Sequence, residues 1–132
     1  MLNKKYKLTG KDINFLFKQQ KIIPGKYFSF FFYPQYPNKN YNQFALQVPL
    51  KLSKKATHRN RIKRLIFNWI KDNQLQKQRI WQNYYKIFII FNKKSIPLFK
   101  ETIETKQKKL IKEKIINNFD FSLNSLIKKL WK

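Results

Sequence analysis

The 132 residues carry 30 lysines and arginines against six acids, a formal net charge of +24, and that much self-repulsion opposes a compact state unless a polyanion neutralises it. The length suits one domain, 1–132, with a single sizeable core. Cysteine is absent and histidine occurs once, which excludes disulfides, thiolate metal sites and an imidazole cluster.

Nucleic acid is therefore the leading partner. A membrane surface is the competing polyanion, but no run approaches the roughly 18 apolar residues of a spanning helix, and "MLNKKYKLTGKD" lacks an apolar signal core. The chain reads as cytoplasmic, with no membrane partner.

"LTGKDINFLFKQQK", 8 to 21, predicts a short helix: Thr9 and Asp12 have the spacing of a capping box, Leu8 and Ile13 that of a hydrophobic staple, and Ile13, Leu16 and Phe17 share a face. "GKYFSFFFYP", 25 to 34, is aromatic and bounded by Gly25 and Pro34, as a strand would be. "QYPNKNYN", 35 to 42, is a polar turn. "QFALQVPLK", 43 to 51, alternates with Phe44, Leu46, Val48 and Leu50 on one face, and Pro49 marks its end or an edge position.

A basic segment follows. "KLSKKATH", 51 to 58, supplies three lysines and leads into "RNRIKRLIFNWI", with Thr57 as the expected N-cap. At 100° per residue Ile62, Leu65, Ile66, Trp69 and Ile70 form one apolar stripe for the core. Asn60, Arg64 and Lys71 fall on the opposite side, Arg61 and Lys63 on the flanks, and Arg59 at the N-terminal edge. Arginine occurs only at 59, 61, 64 and 79 in a chain that otherwise spells its charge as lysine. Where charge alone suffices lysine serves, so this cluster points to the planar fork that grips phosphate with two parallel hydrogen bonds; an ordinary solvated helix face is the alternative.

"YYKIFIIF", 84 to 91, predicts a central strand, and after Pro97 the stretches 98 to 117 and 121 to 131 predict two helices. The expected order is α, β, β, α, β, α, α. The acids Asp12, Asp72, Glu101, Glu104, Glu113 and Asp120 are scattered, with no spacing that chelates a metal pair. His58 has no evident acid partner as a general base; a place beside the helix N-terminus or against phosphate is the alternative. No catalytic or metal-ligating protein residue is expected.

"RNRIKR", 59 to 64, resembles the signature of the bacterial ribonuclease P protein component. Its flanks agree: "QFALQVPLKLSKKATHRNRIKRLI" is similar to that family's strand, Ser-Lys-Lys turn and helix entry, and "LTGKDINFLFKQ" to its opening helix. The resemblance covers residues 6 to 91. It implies an α/β (α+β sandwich) fold like domain 2 of a small ribosomal subunit protein, with a mixed sheet, a left-handed βαβ crossover carrying the basic helix against the usual right-handed preference, and an added helix in the C-terminal part, 98–132.

The same resemblance implies the RNA-binding protein subunit of an endonuclease, the ribonuclease P holoenzyme. The partners would be its catalytic RNA and precursor tRNA, whose 5′ leader is removed by hydrolysis assisted by Mg²⁺ held mainly by RNA. The protein would be monomeric apart from the RNA. Contacts to the catalytic RNA are expected from Lys51, Lys54, Lys55, Arg59, Asn60, Arg61, Lys63 and Arg64, and to the leader from Ile13, Phe17, Ser29 and Phe31. Ile13 stands where the family prefers Phe, Pro49 and Leu50 replace Ser and Lys, and Phe67 replaces an arginine. Phe31 is alternatively a core residue, and Phe67 either stacks on RNA or covers the added helix. A ribosomal or other structural RNA-binding protein remains the rival reading.

Overall fold

Alternation decides which side of each strand is apolar. Phe28 and Phe30 of "FSFFFYP", Phe44 and Leu46 of "QFALQ", and Ile87, Ile89 and Phe91 of "YKIFIIF" all become buried on one face of a single sheet. The computed structural model describes residues 2–79, 83–105 and 107–130. Its elements are α1 (Gly10–Gln19), β1 (Ile22–Pro24), β2 (Phe28–Pro34), β3 (Gln43–Gln47), α2 (Ala56–Asp72), β4 (Tyr85–Phe91), α3 (Ser95–Glu104) and α4 (Lys108–Leu130), with single 3-10 turns at Lys4–Tyr6 and Leu75–Lys77.

The sheet order is β1-β2-β4-β3. β2 pairs antiparallel with β1 and β4, whereas β3 runs parallel to β4, so α2 is the connection of a βαβ unit. This is the mixed α/β sandwich expected. The outer side of β3 is met by the N-terminal segment, where Lys7 bridges Phe44 and Leu8 N–H donates to the Phe44 carbonyl at 2.8 Å, which partly covers an edge otherwise open to pairing.

The main core lies between one sheet face and α2, α3 and α4: Ile62, Ile66 and Ile70, then Phe99 and Ile103, then Ile111, Ile115, Phe119, Leu123 and Leu126. Phe119 packs its ring within 5.4 Å of both Phe28 and Trp69 and so ties α4 to sheet and α2 together. The other face carries Ala45 and Phe88 with Phe31, Tyr33 and Ile90, partly covered by Leu16 and Ile13 of α1.

The Thr9–Asp12 capping box forms as expected, with Asp12 N–H donating to the Thr9 hydroxyl at 3.3 Å and Thr9 N–H to the Asp12 carboxylate at 3.2 Å. Several expectations need correction. Strand β1 was not anticipated; its hairpin turns at Gly25, where a Cβ would collide with the Phe28 carbonyl, so β2 starts at Phe28 rather than at the glycine. β3 stops at Gln47, since Pro49 opens a turn whose carbonyl accepts from Leu52 N–H at 3.1 Å.

Lys55, not Thr57, is the N-cap of α2, without a side-chain cap. α3 begins at Ser95 and places Pro97 in its first turn, where the missing N–H costs nothing. The helical stretches 98–117 and 121–131 divide elsewhere. α3 closes at Thr105, whose hydroxyl donates to the Thr102 carbonyl at 2.6 Å, and α4 then runs unbroken through Asn117–Asp120 because the stripe Ile111, Ile115, Phe119, Leu123 continues across it. Lys106 and Trp131 of those stretches lie outside the described residues.

Candidate nucleic-acid interface

The entry to α2 is organised by Ser53. Its hydroxyl accepts from Lys55 N–H at 3.3 Å and lies 3.2 Å from His58 Nδ1, while its carbonyl accepts from Arg59 Nη1 at 2.8 Å. His58 therefore has a structural partner in the turn. Arg59 is half-buried and clamps that turn, which the stripe geometry had placed only at the edge of the ridge.

Asn60, Arg61 and Arg64 are exposed on the side of α2 that faces away from the sheet, and Lys63 is half-buried on the flank. Lys51, Lys54 and Lys55 are exposed before the helix. The expected residues thus come together as one basic ridge around the first turns of α2, where the unpaired helix N–H groups add to the attraction for an anion. Phe67 departs from expectation: it is buried in the core with the Lys7 ammonium 5.2 Å from its ring, so it offers RNA no stacking face. The flank that looked polar on the helix is covered by the N-terminal segment, whose Leu2 and Tyr6 join the same core.

Tertiary packing adds cations that no spacing in the sequence reveals. Lys100 of α3 shares a groove of about 840 Å³ with Lys51, Lys54 and Lys55, and Lys108 of α4 shares a smaller one with His58 and Arg61.

The opposite face of the sheet holds an aromatic cluster. Phe17 stands 4.9 Å from Phe31 and 5.4 Å from Phe88, and Phe31 stacks on Phe88 at 6.0 Å with 24° between the planes. Phe17 is 45% exposed, whereas Phe88 is buried, and Ile13 and Phe31 are half-buried beside it. Phe88, hidden in the sequence inside an unbroken apolar run, is the buried member of this cluster. Ser29 is placed on the same face but is buried, and its hydroxyl donates to Asn92 Oδ1, while Asn92 Nδ2 donates to the Gly25 carbonyl. Of the four residues expected at the leader, three border the aromatic cluster and Ser29 serves the turn.

Between α1 and the sheet lies a buried ammonium. Lys86 donates to Asp12 at 3.2 Å and stands 3.7 Å from the Tyr36 ring centroid. Burial opposes its charge, but Tyr36 and Asp12 outweigh that and raise its pKa; for Asp12 burial is outweighed by hydrogen bonds from Thr9 and by Lys86, and its pKa falls.

No three histidine or carboxylate side chains gather among the described residues, so their donor set does not fit a protein-only cage for a divalent ion. No described helix is long and apolar enough to cross a membrane.

A family model described as Ribonuclease P matches residues 2–114. The chain belongs to the ribonuclease P protein family. Solved structures agree with it. A ribonuclease P protein from Thermotoga maritima is 25% identical, with 84% of this chain and 92% of that one covered and a TM-score of 0.59. The same protein in complex with 1-(4-fluorophenyl)-2-thiourea matches at 25% identity over 81% and 90%, TM-score 0.56. The Staphylococcus aureus ribonuclease P protein is 18% identical over 96% and 98%, with a TM-score of 0.66, and supports the fold. Nothing among curated proteins matches the chain. The chain is thus a protein subunit of ribonuclease P, the tRNA-processing endoribonuclease, and works with the ribonuclease P RNA.

Proposed function

We propose that this subunit acts by binding two RNAs on two sides of one sheet. The basic ridge at the start of α2, with Arg61 and Arg64 as exposed forks and Lys51, Lys54 and Lys55 as point charges, holds the catalytic RNA through its phosphates. The cleft of Phe17, Phe31 and Phe88 receives unpaired bases of the 5′ leader of precursor tRNA. The observation that carries this reading is the placement of an exposed aromatic ring over a buried aromatic floor on the face opposite the ridge.

Hydrolysis then belongs to the RNA, with Mg²⁺ on RNA phosphates supplying the Lewis acid. The protein side chains neutralise phosphate repulsion between the two RNAs and fix the leader relative to the tRNA body. His58 takes no part in proton transfer, since its Nδ1 faces the Ser53 hydroxyl in the turn. The protein acts as a monomer on its RNA, in the cytoplasm.

The test is reconstitution of the full chain with its RNA and a precursor tRNA. The protein alone should cleave nothing and should raise cleavage by the RNA when Mg²⁺ is scarce, because cations on the ridge replace counterions. Cleavage by RNA-free protein that is abolished in His58→Ala or Asp12→Asn would overturn the proposal, and absence of any stimulation would favour a purely structural role on RNA.

A further inference from the structure

At the far end of α2 from the arginine ridge lies a pocket of about 250 Å³ lined by Tyr36, Lys39 and Asn40 of the β2–β3 loop and by Arg79, Asn83 and Tyr84, among others. A 17-residue helix separates the two ends by roughly 25 Å at 1.5 Å per residue. We propose that this pocket is a second single-stranded RNA site, which takes an unpaired nucleotide by stacking its base on Tyr36 and pairing its phosphate with Lys39 and Arg79.

The pocket's chemistry favours that ligand over others. Its aromatic rings come with cations attached: Arg79 lies 5.8 Å from the Tyr84 ring centroid and Lys39 5.3 Å from that of Tyr36. No carboxylate lines it, which suits a polyanion. Asn40 and Asn83 supply amides for base edges. The volume lies below the roughly 300–1,000 Å³ of pockets for drug-sized ligands and suits a single ring system.

Tyr36 is prepared for stacking. The residue is 52% exposed, yet its ring is held from within by the Lys86 ammonium 3.7 Å from its centroid, itself tied to Asp12. Its backbone N–H donates to Gln35 Oε1 at 3.2 Å, and Gln35 Nε2 reaches the Tyr41 carbonyl and Gln43 Oε1, so the loop carrying the ring is braced. An exposed ring fixed in place loses little entropy when a base settles on it.

The nucleotide could come from a distal part of the leader or from an unpaired segment of the catalytic RNA. Phe31 on β2 and Tyr36 just past its end are five residues apart, at most about 18 Å of extended chain, so one leader can reach both sites.

The inference rests on the reading of the chain as an RNA-binding subunit, and the test separates the two. The full chain is titrated with oligoadenylate of about eight nucleotides, as parent, Tyr36→Ala, Tyr36→Phe and Arg79→Gln, each with its melting curve recorded. Tyr36→Ala should weaken binding about tenfold, Arg79→Gln severalfold, and Tyr36→Phe should match the parent. Unchanged affinity in Tyr36→Ala and Arg79→Gln overturns the second site, while a loss in Phe17→Ala under the same conditions leaves the proposed function standing. In the holoenzyme, a Tyr36→Ala defect confined to long-leader precursors assigns the site to the leader, and a defect in binding the catalytic RNA assigns it there. A defect in neither means that the pocket does not serve the holoenzyme, and the proposal fails.

Discussion

Arginine and lysine separate by task along six positions of α2. Arg64 is exposed and makes no hydrogen bond or ion pair among the described residues, whereas Arg59 is half-buried and spends one N–H on the Ser53 carbonyl at 2.8 Å. Arg64→Lys should therefore weaken binding to the catalytic RNA while leaving thermal stability unchanged, because lysine keeps the charge and loses the fork. Arg59→Lys should lower both, with a stability cost of about 1 kcal/mol for the lost clamp. Filter binding and melting curves on the two variants check this; equal RNA affinity in Arg64→Lys and the parent would mean that it acts as charge alone.

Asp12 and Lys86 set a pH window in the same way. A carboxylate with a lowered native pKa contributes stability that is complete above its unfolded value near 3.8 and is lost as the pH falls through the native value. A lysine with a raised native pKa contributes stability that is complete below 10.5 and is lost as the pH rises past it. The melting difference between parent and Asp12→Asn should hence be flat across neutral pH, on the order of 2 kcal/mol, and should shrink in acid. A difference that persists undiminished as the pH falls through the native value would show that the hydrogen bonds of the capping box, not the ion pair, carry it.

Elements were legible wherever one face of a segment had a single job. The capping box, the alternation of β3 and the Ile62, Ile66, Ile70 stripe could each be read locally. β1 could not, since three residues carry no period and it exists through pairing with β2. The division of the C-terminal helices was misplaced because Asn117 and Asn118 look like a break, whereas Phe119 between sheet and α2 holds the helix through them. Phe67 and Arg59 were misjudged for one reason: a helical wheel shows the helix's own faces, while the N-terminal segment and the Ser53 turn that cover them come from elsewhere. α1 ends on Gln20 in the left-handed region at φ 53°. Gln20→Gly should relieve that residue and raise stability by roughly 0.5–1 kcal/mol in a melting experiment, since glycine enters that region freely; no gain would mean that the glutamine side chain earns its place.

Taken whole, the molecule uses one sheet as a partition. Its apolar side is sealed by α2, α3 and α4, and the outward face of α2 carries the ridge; its other side is left half-open by the ten-residue α1. Charge on one side and aromatic surface on the other predict two different responses to damage. Phe17 is the cleanest probe, being exposed and remote from the main core. The decisive measurement is a set of binding curves for precursor and mature tRNA with parent and Phe17→Ala holoenzymes. The two-sided account predicts a loss of about 1 kcal/mol or more for precursor tRNA alone, with binding of the catalytic RNA and its salt dependence unchanged. An equal loss for both tRNAs, or a loss of catalytic RNA binding, would contradict it.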